Sequence, residues 1–387
     1  MSLIRLVTVV GARPQFVKAA VVSQEIAKHP GLREILVHTG QHYDYEMSAV
    51  FFKELGLPKP RYHLGAGSRP HGEQTAEILA KLEPILLKEK PNAVIVYGDT
   101  NSTLAGALCA SKLHIPLAHV EAGLRSWNRR MPEEINRVVA DHVADILFCP
   151  TATAVKNLAG EGIHRGVFNV GDVMLDAALI FGKRNILPDS LLSRWDLTAK
   201  TYFLITIHRA ENTDDVERLQ NILALLLELR SPAIFPVHPR VGNLLAKNRT
   251  LRKLRSRLEA HPHLRLVQPV SYLEMLALEK NALAIITDSG GVQKEAFFFG
   301  VPCITLRNET EWLETLEDGC NILVGASRKK FLTAVANLDK IPSRLAEKKR
   351  QRSLRKKGLA LFGSGKACQR LVRILQRRLK AVGKTIR

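Results

Sequence analysis

Short apolar runs alternate with longer stretches of helical spacing along this chain, and the whole alternation occurs twice. Residues 6–10, 34–38, 93–97, 117–120 and 146–149 predict strands, and 17–28, 72–88, 101–113 and 133–144 predict helices between them. Strands that read as unbroken apolar runs are covered on both faces, and strand–helix alternation covers a parallel sheet in that way. After Pro150-Thr151 and a connecting region near 170–198, the rhythm restarts with runs at 202–206, 233–237, 264–267, 284–287 and 303–306. A chain of 387 residues is long enough for two domains of ordinary size. The expected fold class is therefore α/β, with an N-terminal domain over 1–180 and a C-terminal domain over 181–360. A final helix over 361–387 is expected to pack back on the first half. Ligands of such sheets bind beyond the carboxyl ends of the strands, here in a cleft where the two halves face each other.

Acidic residues gather at those strand ends. Val96-Tyr97-Gly98-Asp99-Thr100, His119-Val120-Glu121-Ala122-Gly123-Leu124-Arg125 and Met131-Pro132-Glu133-Glu134-Ile135-Asn136-Arg137 set Asp99, Glu121, Glu133 and Glu134 beside loop glycines and a proline. Carboxylates are costly to bury and poor for packing, so this clustering implies proton chemistry. Glu133 and Glu134 are adjacent on a helix and point different ways, which leaves Glu134 as the structural member.

Anion-binding features lie at other strand-to-helix turns. Gly11-Ala12-Arg13-Pro14-Gln15-Phe16-Val17-Lys18 opens a helix whose N–H groups, with Arg13 and Lys18, would face an anion. It has neither the three glycines of a dinucleotide fingerprint nor the Gly-Lys-Ser/Thr of a P-loop, and alone it equally describes a capped turn. In the second half, Thr287-Asp288-Ser289-Gly290-Gly291 ends a strand. Gly290 and Gly291 would let the backbone approach a diphosphate, with Ser289 capping or donating. Glu295, two turns on, suits a ribose diol; a glycine-rich cap without a ligand is the alternative. His208 and Arg209 end the first strand of the second half, and His238 ends the next. His42 and Tyr43 are candidates to line the cleft.

Composition narrows the partners. The formal net charge of +20 would suit nucleic acid, but much of the surplus lies beyond residue 340, in Lys348–Arg352, Arg355–Lys357 and Arg377-Arg378. These runs read as solvated helical faces, and no nucleic-acid-binding motif accompanies them. No apolar stretch approaches the roughly 20 residues of a membrane span, and the N-terminus reads as the first strand rather than a signal peptide. Five scattered cysteines without a Cys-x-x-Cys pair indicate reduced thiols in the cytoplasm, with neither disulfides nor a zinc site.

Taken together, these motifs resemble the non-hydrolysing UDP-N-acetylglucosamine 2-epimerase family over nearly the whole chain. The matching elements are Gly11-x-Arg13-Pro14-x-x-x-Lys18, Gly98-Asp99-Thr100, 119–125, Pro132-Glu133-Glu134-x-Asn136-Arg137, His208-Arg209-x-Glu211, His238-Pro239, 288–295 and Phe362-Gly363-x-Gly365, in order and spacing. The resemblance implies the glycosyltransferase-B architecture, two Rossmann-like domains around a cleft, in a homodimer. It implies that Asp99, Glu121, Glu133 and His208 are catalytic, and that Arg13, Lys18, Ser289, Gly290, Gly291 and Glu295 bind UDP. The implied reaction needs no metal and no cofactor. UDP leaves C1 of the sugar as a proton leaves C2, giving 2-acetamidoglucal, and both return with the proton on the opposite face. The implied role is supply of UDP-ManNAc-type sugars for surface polysaccharide such as lipopolysaccharide.

The chain departs from the family's pattern in places. Thr310-Glu311-Trp312 stands where Thr-Glu-Arg is usual, and Tyr43-Asp44 follow Gln41-His42 where substrate-activated members have Arg-Gln. Glu73 replaces an arginine of those members, which argues against activation by a second UDP-sugar. The opening Gly-Ala-Arg-Pro-Gln-Phe, 210–215 and Thr310-Glu311-Trp312 resemble the branch acting on UDP-2,3-diacetamido-2,3-dideoxyglucuronate. Substrate choice between that sugar and UDP-GlcNAc stays open. A glycosyltransferase of the same architecture is the alternative from another class.

Overall fold

The structure is a computed structural model that describes residues 3–41, 52–183, 188–339, 352–353 and 356–385. His42 and Tyr43 lie outside the described residues, as do Lys348, Lys349, Arg350 and Arg355. The chain forms two units, Met1–Leu179 with Ala360–Arg387, and Ile180–Leu359.

The first unit contains β1 (Ile4–Val10), α1 (Arg13–Ile26), β2 (Leu32–His38), β3 (Tyr62–His63), α2 (His71–Glu89), β4 (Ala93–Tyr97) and α3 (Asn101–Lys112). It continues with β5 (Leu117–Val120), α4 (Pro132–Val143), β6 (Ile146–Cys149), α5 (Ala152–Gly160), β7 (Val167–Asn169) and α6 (Val173–Phe181), within which the chain passes to the second unit. The strands pair in parallel in the order β3-β2-β1-β4-β5-β6-β7. Strand order reverses beside β1, so the connections leaving the paired strands β1 and β4 run to opposite sides and leave room beyond their carboxyl ends. β4 is buried at all five positions, and Val7, Val9, Val94, Val96, Ile78, Leu82 and Leu86 form the core between sheet and helices.

The second unit runs α7 (Pro188–Ser193), β8 (Phe203–Thr206), α8 (Ala210–Thr213), α9 (Val216–Leu226), β9 (Ala233–Pro236), α10 (Pro239–Lys247), α11 (Arg249–Glu259) and β10 (Leu264–Val267). It ends with α12 (Tyr272–Asn281), β11 (Ala284–Thr287), α13 (Gly290–Phe299), β12 (Cys303–Thr305), β13 (Asn321–Leu323) and α14 (Arg328–Asp339). Its parallel sheet has the order β10-β9-β8-β11-β12-β13, with the reversal between β8 and β11. Two clusters, one around Phe203, Phe235 and Ile286 and one around Tyr202, Leu204 and Ile285, fill its two faces. The fold class is thus α/β with two doubly wound parallel sheets, as expected for the glycosyltransferase-B class.

The last helix, α15 (Ala367–Thr385), belongs to the first unit and packs on α1. Its first turn is capped from another element: Ala367 and Cys368 N–H donate to the Asp176 carboxylate at 3.1 and 2.8 Å. Arg370, Arg373, Arg377 and Lys380 line its exposed side while Leu371, Val372, Leu375 and Leu379 are buried. Among the described residues no helix is long and apolar enough to cross a membrane.

Candidate active site

In the first unit the candidate residues sit on the turns after β1, β4 and β5. Gln15 fixes the first of these turns. Its side-chain oxygen accepts from Gly11 and Ala12 N–H at 2.7 and 3.0 Å, and its amide donates to the Tyr97 carbonyl and Thr103 hydroxyl at 2.9 and 3.0 Å. Gly11 is required here for space. A Cβ would lie 2.1 and 2.2 Å from the hydroxyls of Thr39 and Ser102, which are hydrogen-bonded to each other across it. Arg13 begins α1 half-buried, and one turn later Lys18 is buried.

Lys18 donates to the carboxylate of Glu121, so the expected anion-binding cation and one expected acid form a single ion pair. Glu121 has φ +74°, left-handed backbone that side chains other than glycine's rarely adopt. Gly98, at φ +63°, completes the arrangement: a Cβ there would lie 3.3 Å from Lys18 Nζ and 3.5 Å from Glu121 Oε1. A small pocket beside the pair is lined by Phe148, Pro150, Val170, Gly171 and Asp172.

Asp99 follows Gly98 and accepts from the guanidinium of Arg137, while its carbonyl accepts from Asn136 Nδ2 at 2.9 Å. Glu133, Asn136 and Arg137 are spaced i, i+3, i+4 on α4, so Glu133 shares the helix side that holds Asp99. It is half-buried in the first turn. Glu134 is buried, accepts from Ser126 and Trp127 N–H at 2.9 and 3.0 Å, and lies 3.2 Å from the Arg137 guanidinium that also holds Asp99.

Beneath these turns lies a buried network. His119 Nδ1 is 2.7 Å from Asp141, and its Nε2 is 2.7 Å from the Gly98 carbonyl. Asp141 also accepts from Gly123 N–H at 3.0 Å and from Arg125 at 2.7 Å, and Arg125 reaches Glu161 at 2.6 and 2.7 Å. Burial opposes ionisation of Asp141, but His119 and Arg125 outweigh it and hold the carboxyl below its usual range. One carboxylate thus ties down both the turn that carries Asp99 and the loop that follows Glu121. Asp141 was not among the residues expected from sequence; only its helical spacing from Arg137 could have pointed to it.

In the second unit Asp288, fully buried, accepts from His208 N–H at 3.1 and 3.0 Å, Arg209 N–H at 3.0 Å and Asn212 Nδ2 at 3.1 Å. It fastens the loop after β8 to the end of β11. The His208 ring is half-buried, 3.4 Å from Asp288 and packed on His238 at 5.3 Å between ring centres. Ser289 caps α13, accepting from Val292 N–H at 3.5 Å. A Cβ on Gly290 would meet Glu311 Oε1 at 2.4 Å and Trp312 Nε1 at 3.2 Å, so that glycine is already needed by the protein. Gly291 differs: its nearest neighbour would be Ser289 Oγ at 3.9 Å. Arg209 lies 3.7 Å from Glu311, which Arg307 holds at 2.8 Å. Trp312 is buried with the Lys294 ammonium 3.7 Å above its ring. Glu295 is buried and accepts from the Tyr272 hydroxyl at 2.7 Å. A helix N-terminus flanked by Arg209, with the half-buried backbone of Gly291 uncrowded by side chains, has the chemistry of a diphosphate site.

The protein-family model described as UDP-N-acetylglucosamine 2-epimerase matches residues 24–376. A UDP-N-acetylglucosamine 2-epimerase homolog of Methanococcus maripaludis is 55% identical over 339 residues, covering 87% of this chain and 92% of that protein. The UDP-2,3-diacetamido-2,3-dideoxy-D-glucuronate 2-epimerase of Pseudomonas aeruginosa is 51% identical over 330 residues, 84% of this chain and 89% of its own. The Methanocaldococcus jannaschii UDP-GlcNAc 2-epimerase, solved in complex with UDP-GlcNAc and UDP, superposes with a TM-score of 0.83 at 43% identity, covering 97% of this chain and 100% of that one. Motifs, paired parallel sheets and these similarities agree: the chain belongs to the UDP-N-acetylglucosamine 2-epimerase family of isomerases.

Proposed function

We propose that the protein interconverts UDP-GlcNAc and UDP-ManNAc by eliminating UDP and adding it back. The C2 hydrogen is not acidic, because its neighbour is an amide nitrogen rather than a carbonyl. It leaves as a proton to a carboxylate while the C1–O bond breaks, the electron pair forms C1=C2, and UDP departs as the anion. Return of UDP with a proton delivered to the other face of C2 completes the inversion. Glu121, Asp99 and Glu133 are assigned to proton transfer and its support. Arg13, Lys18, His208 and the α13 turn at Ser289, Gly290 and Gly291 are assigned to the leaving diphosphate, and Glu295 to the ribose.

The observation that carries this reading is Glu121, held in left-handed backbone with its carboxylate on Lys18. Rare backbone conformations at non-glycine residues cluster where chemistry needs a group aimed. The test is incubation with UDP-GlcNAc and no acceptor, followed by proton NMR. UDP-ManNAc should appear; its absence would contradict the reading, whereas a glycosyltransferase would release nothing without an acceptor.

The same chemistry on UDP-2,3-diacetamido-2,3-dideoxyglucuronate is the second reading, favoured by the 51% identity of the P. aeruginosa protein. Adding that sugar to the NMR panel decides between them. We further propose a cytoplasmic homodimer serving surface polysaccharide synthesis; five buried cysteine thiols support a reducing compartment. Light scattering on the eluted protein tests the dimer.

A further inference from the structure

The basic surplus at the end of the chain has no part in the site described above. On α15 it forms a single stripe: Arg370, Arg373, Arg377 and Lys380 are exposed at helical spacing, with exposed Lys366 one turn before them. The helix carries no acidic residue, and among the described residues none of these four side chains enters a hydrogen bond or ion pair. The acids that face α15 from other elements, Glu25 on α1 and Asp176 on α6, are buried at its first turn and already engaged. Lys28 holds Glu25 at 2.8 Å, and Asp176 accepts from the Ala367 and Cys368 N–H groups. Like charges three and four residues apart destabilise a helix, so the fold keeps this stripe against a local cost. Elsewhere helices pair such cations, Lys81 with Glu77 on α2 and Arg255 with Glu259 on α11.

We propose that the exposed face of α15 docks on a membrane surface of anionic lipid headgroups, held there by charge and without insertion. Its apolar side cannot insert, because Leu371, Val372, Leu375 and Leu379 are buried in the first unit. Arg370 to Lys380 span about 15 Å of helix. Successive charges lie about 5–6 Å apart, closer than the Debye length of about 8 Å at physiological salt, so a plane of phosphates meets them as one field. The composition of the face selects this occupant. A protein interface is built on an apolar core, and no large exposed apolar side chain lies on α15. Single-stranded nucleic acid is gripped by aromatic rings that stack on its bases, and α15 has no aromatic residue. An anionic bilayer requires neither, since it answers to charge density alone, and each cation near it raises partitioning about fivefold.

The test is co-sedimentation of the full chain with vesicles of phosphatidylcholine, with and without phosphatidylglycerol, at low and high salt. Wild type should prefer the anionic vesicles by about 10²-fold or more at low salt and lose that preference at high salt. Replacing Arg373→Gln together with Arg377→Gln should lower partitioning about twenty-fivefold without lowering the melting temperature, whereas Arg373→Lys with Arg377→Lys should stay within about threefold of wild type. Arg252→Gln with Arg257→Gln removes the same charge from the exposed face of α11 and should change partitioning less than about threefold. Equal binding to the two kinds of vesicle, an undiminished preference in the Arg373→Gln, Arg377→Gln protein, or an equal loss in the α11 variant would overturn the proposal. So would tighter binding of duplex DNA or polyglutamate at matched charge, lost in the same α15 variant, which would assign the stripe to nucleic acid or an acidic protein. A changed oligomeric state in that variant would assign it to a second copy of the chain, and would equally overturn the lipid reading.

Discussion

Glu121 keeps φ at +74° although such backbone costs of order 1–3 kcal/mol at a non-glycine residue. Its side chain is therefore held for a reason other than packing, and its charge should matter more to turnover than to binding. Glu121→Gln and Glu133→Gln are each expected to lower kcat by about 10²–10⁴. Calorimetry should find UDP affinity little changed in both; turnover within threefold of wild type would remove the two acids from the reaction. The adjacent glycines of α13 differ in what they report. Gly291→Val adds atoms where the protein has room, so it should weaken UDP binding while the melting temperature stays put. Gly290→Val drives atoms into Glu311, 2.4 Å from the new Cβ, and should lower the melting temperature as well. A Gly291→Val protein with wild-type UDP affinity would exclude the turn from the diphosphate site.

At the scale of elements, α4 matters through its buried face, where Asp141 serves His119, Gly123 and Arg125 together. Removing one partner of a buried charged network typically costs about 3–5 kcal/mol, so Asp141→Asn should destabilise by that order and also depress kcat by loosening the Asp99 and Glu121 turns. Because the folded carboxyl titrates below its unfolded value, its stabilisation is complete above the unfolded pKa, about 4. It is lost as pH falls through the folded value. The stability gap between wild type and Asp141→Asn should therefore narrow in denaturant titrations between pH 6 and pH 3; a constant gap would contradict the assignment. The elements also show what sequence can reveal. Strands at 93–97, 117–120, 146–149 and 284–287 form at the expected bounds, because their burial on both faces leaves an apolar run; the strand at 264–267 also forms there, although it lies at a sheet edge with Arg265 exposed. β3, β7 and β13 were missed. All three lie at sheet edges, two or three residues long and partly exposed, so no such run marks them.

For the whole molecule, the doubled strand–helix rhythm was enough to foresee two parallel α/β sheets, and strand-end position was enough to nominate Asp99, Glu121 and Ser289-Gly290-Gly291. Pairings were not legible. Lys18 meets Glu121 from 103 residues away, and Asp288 gathers the loop after β8 from 80. Gly11 and Gly290 are glycines because of what lies across from them, Thr39 with Ser102 and Glu311 with Trp312, which spacing along the chain does not encode. Asp141 escaped notice for the same reason: a buried acid in a helix looks like any surface acid until its neighbours are known. The proposed chemistry joins both halves of the sequence, the acids of one and the phosphate turn of the other, in a single elimination. It is tested most directly by running the reaction on UDP-GlcNAc in deuterium oxide and reading the product by proton NMR. Elimination and re-addition predict UDP-ManNAc carrying deuterium at C2, with C3 and C4 still protonated and a trace of 2-acetamidoglucal beside free UDP. Product that keeps hydrogen at C2, or turnover that requires added NAD, would contradict it.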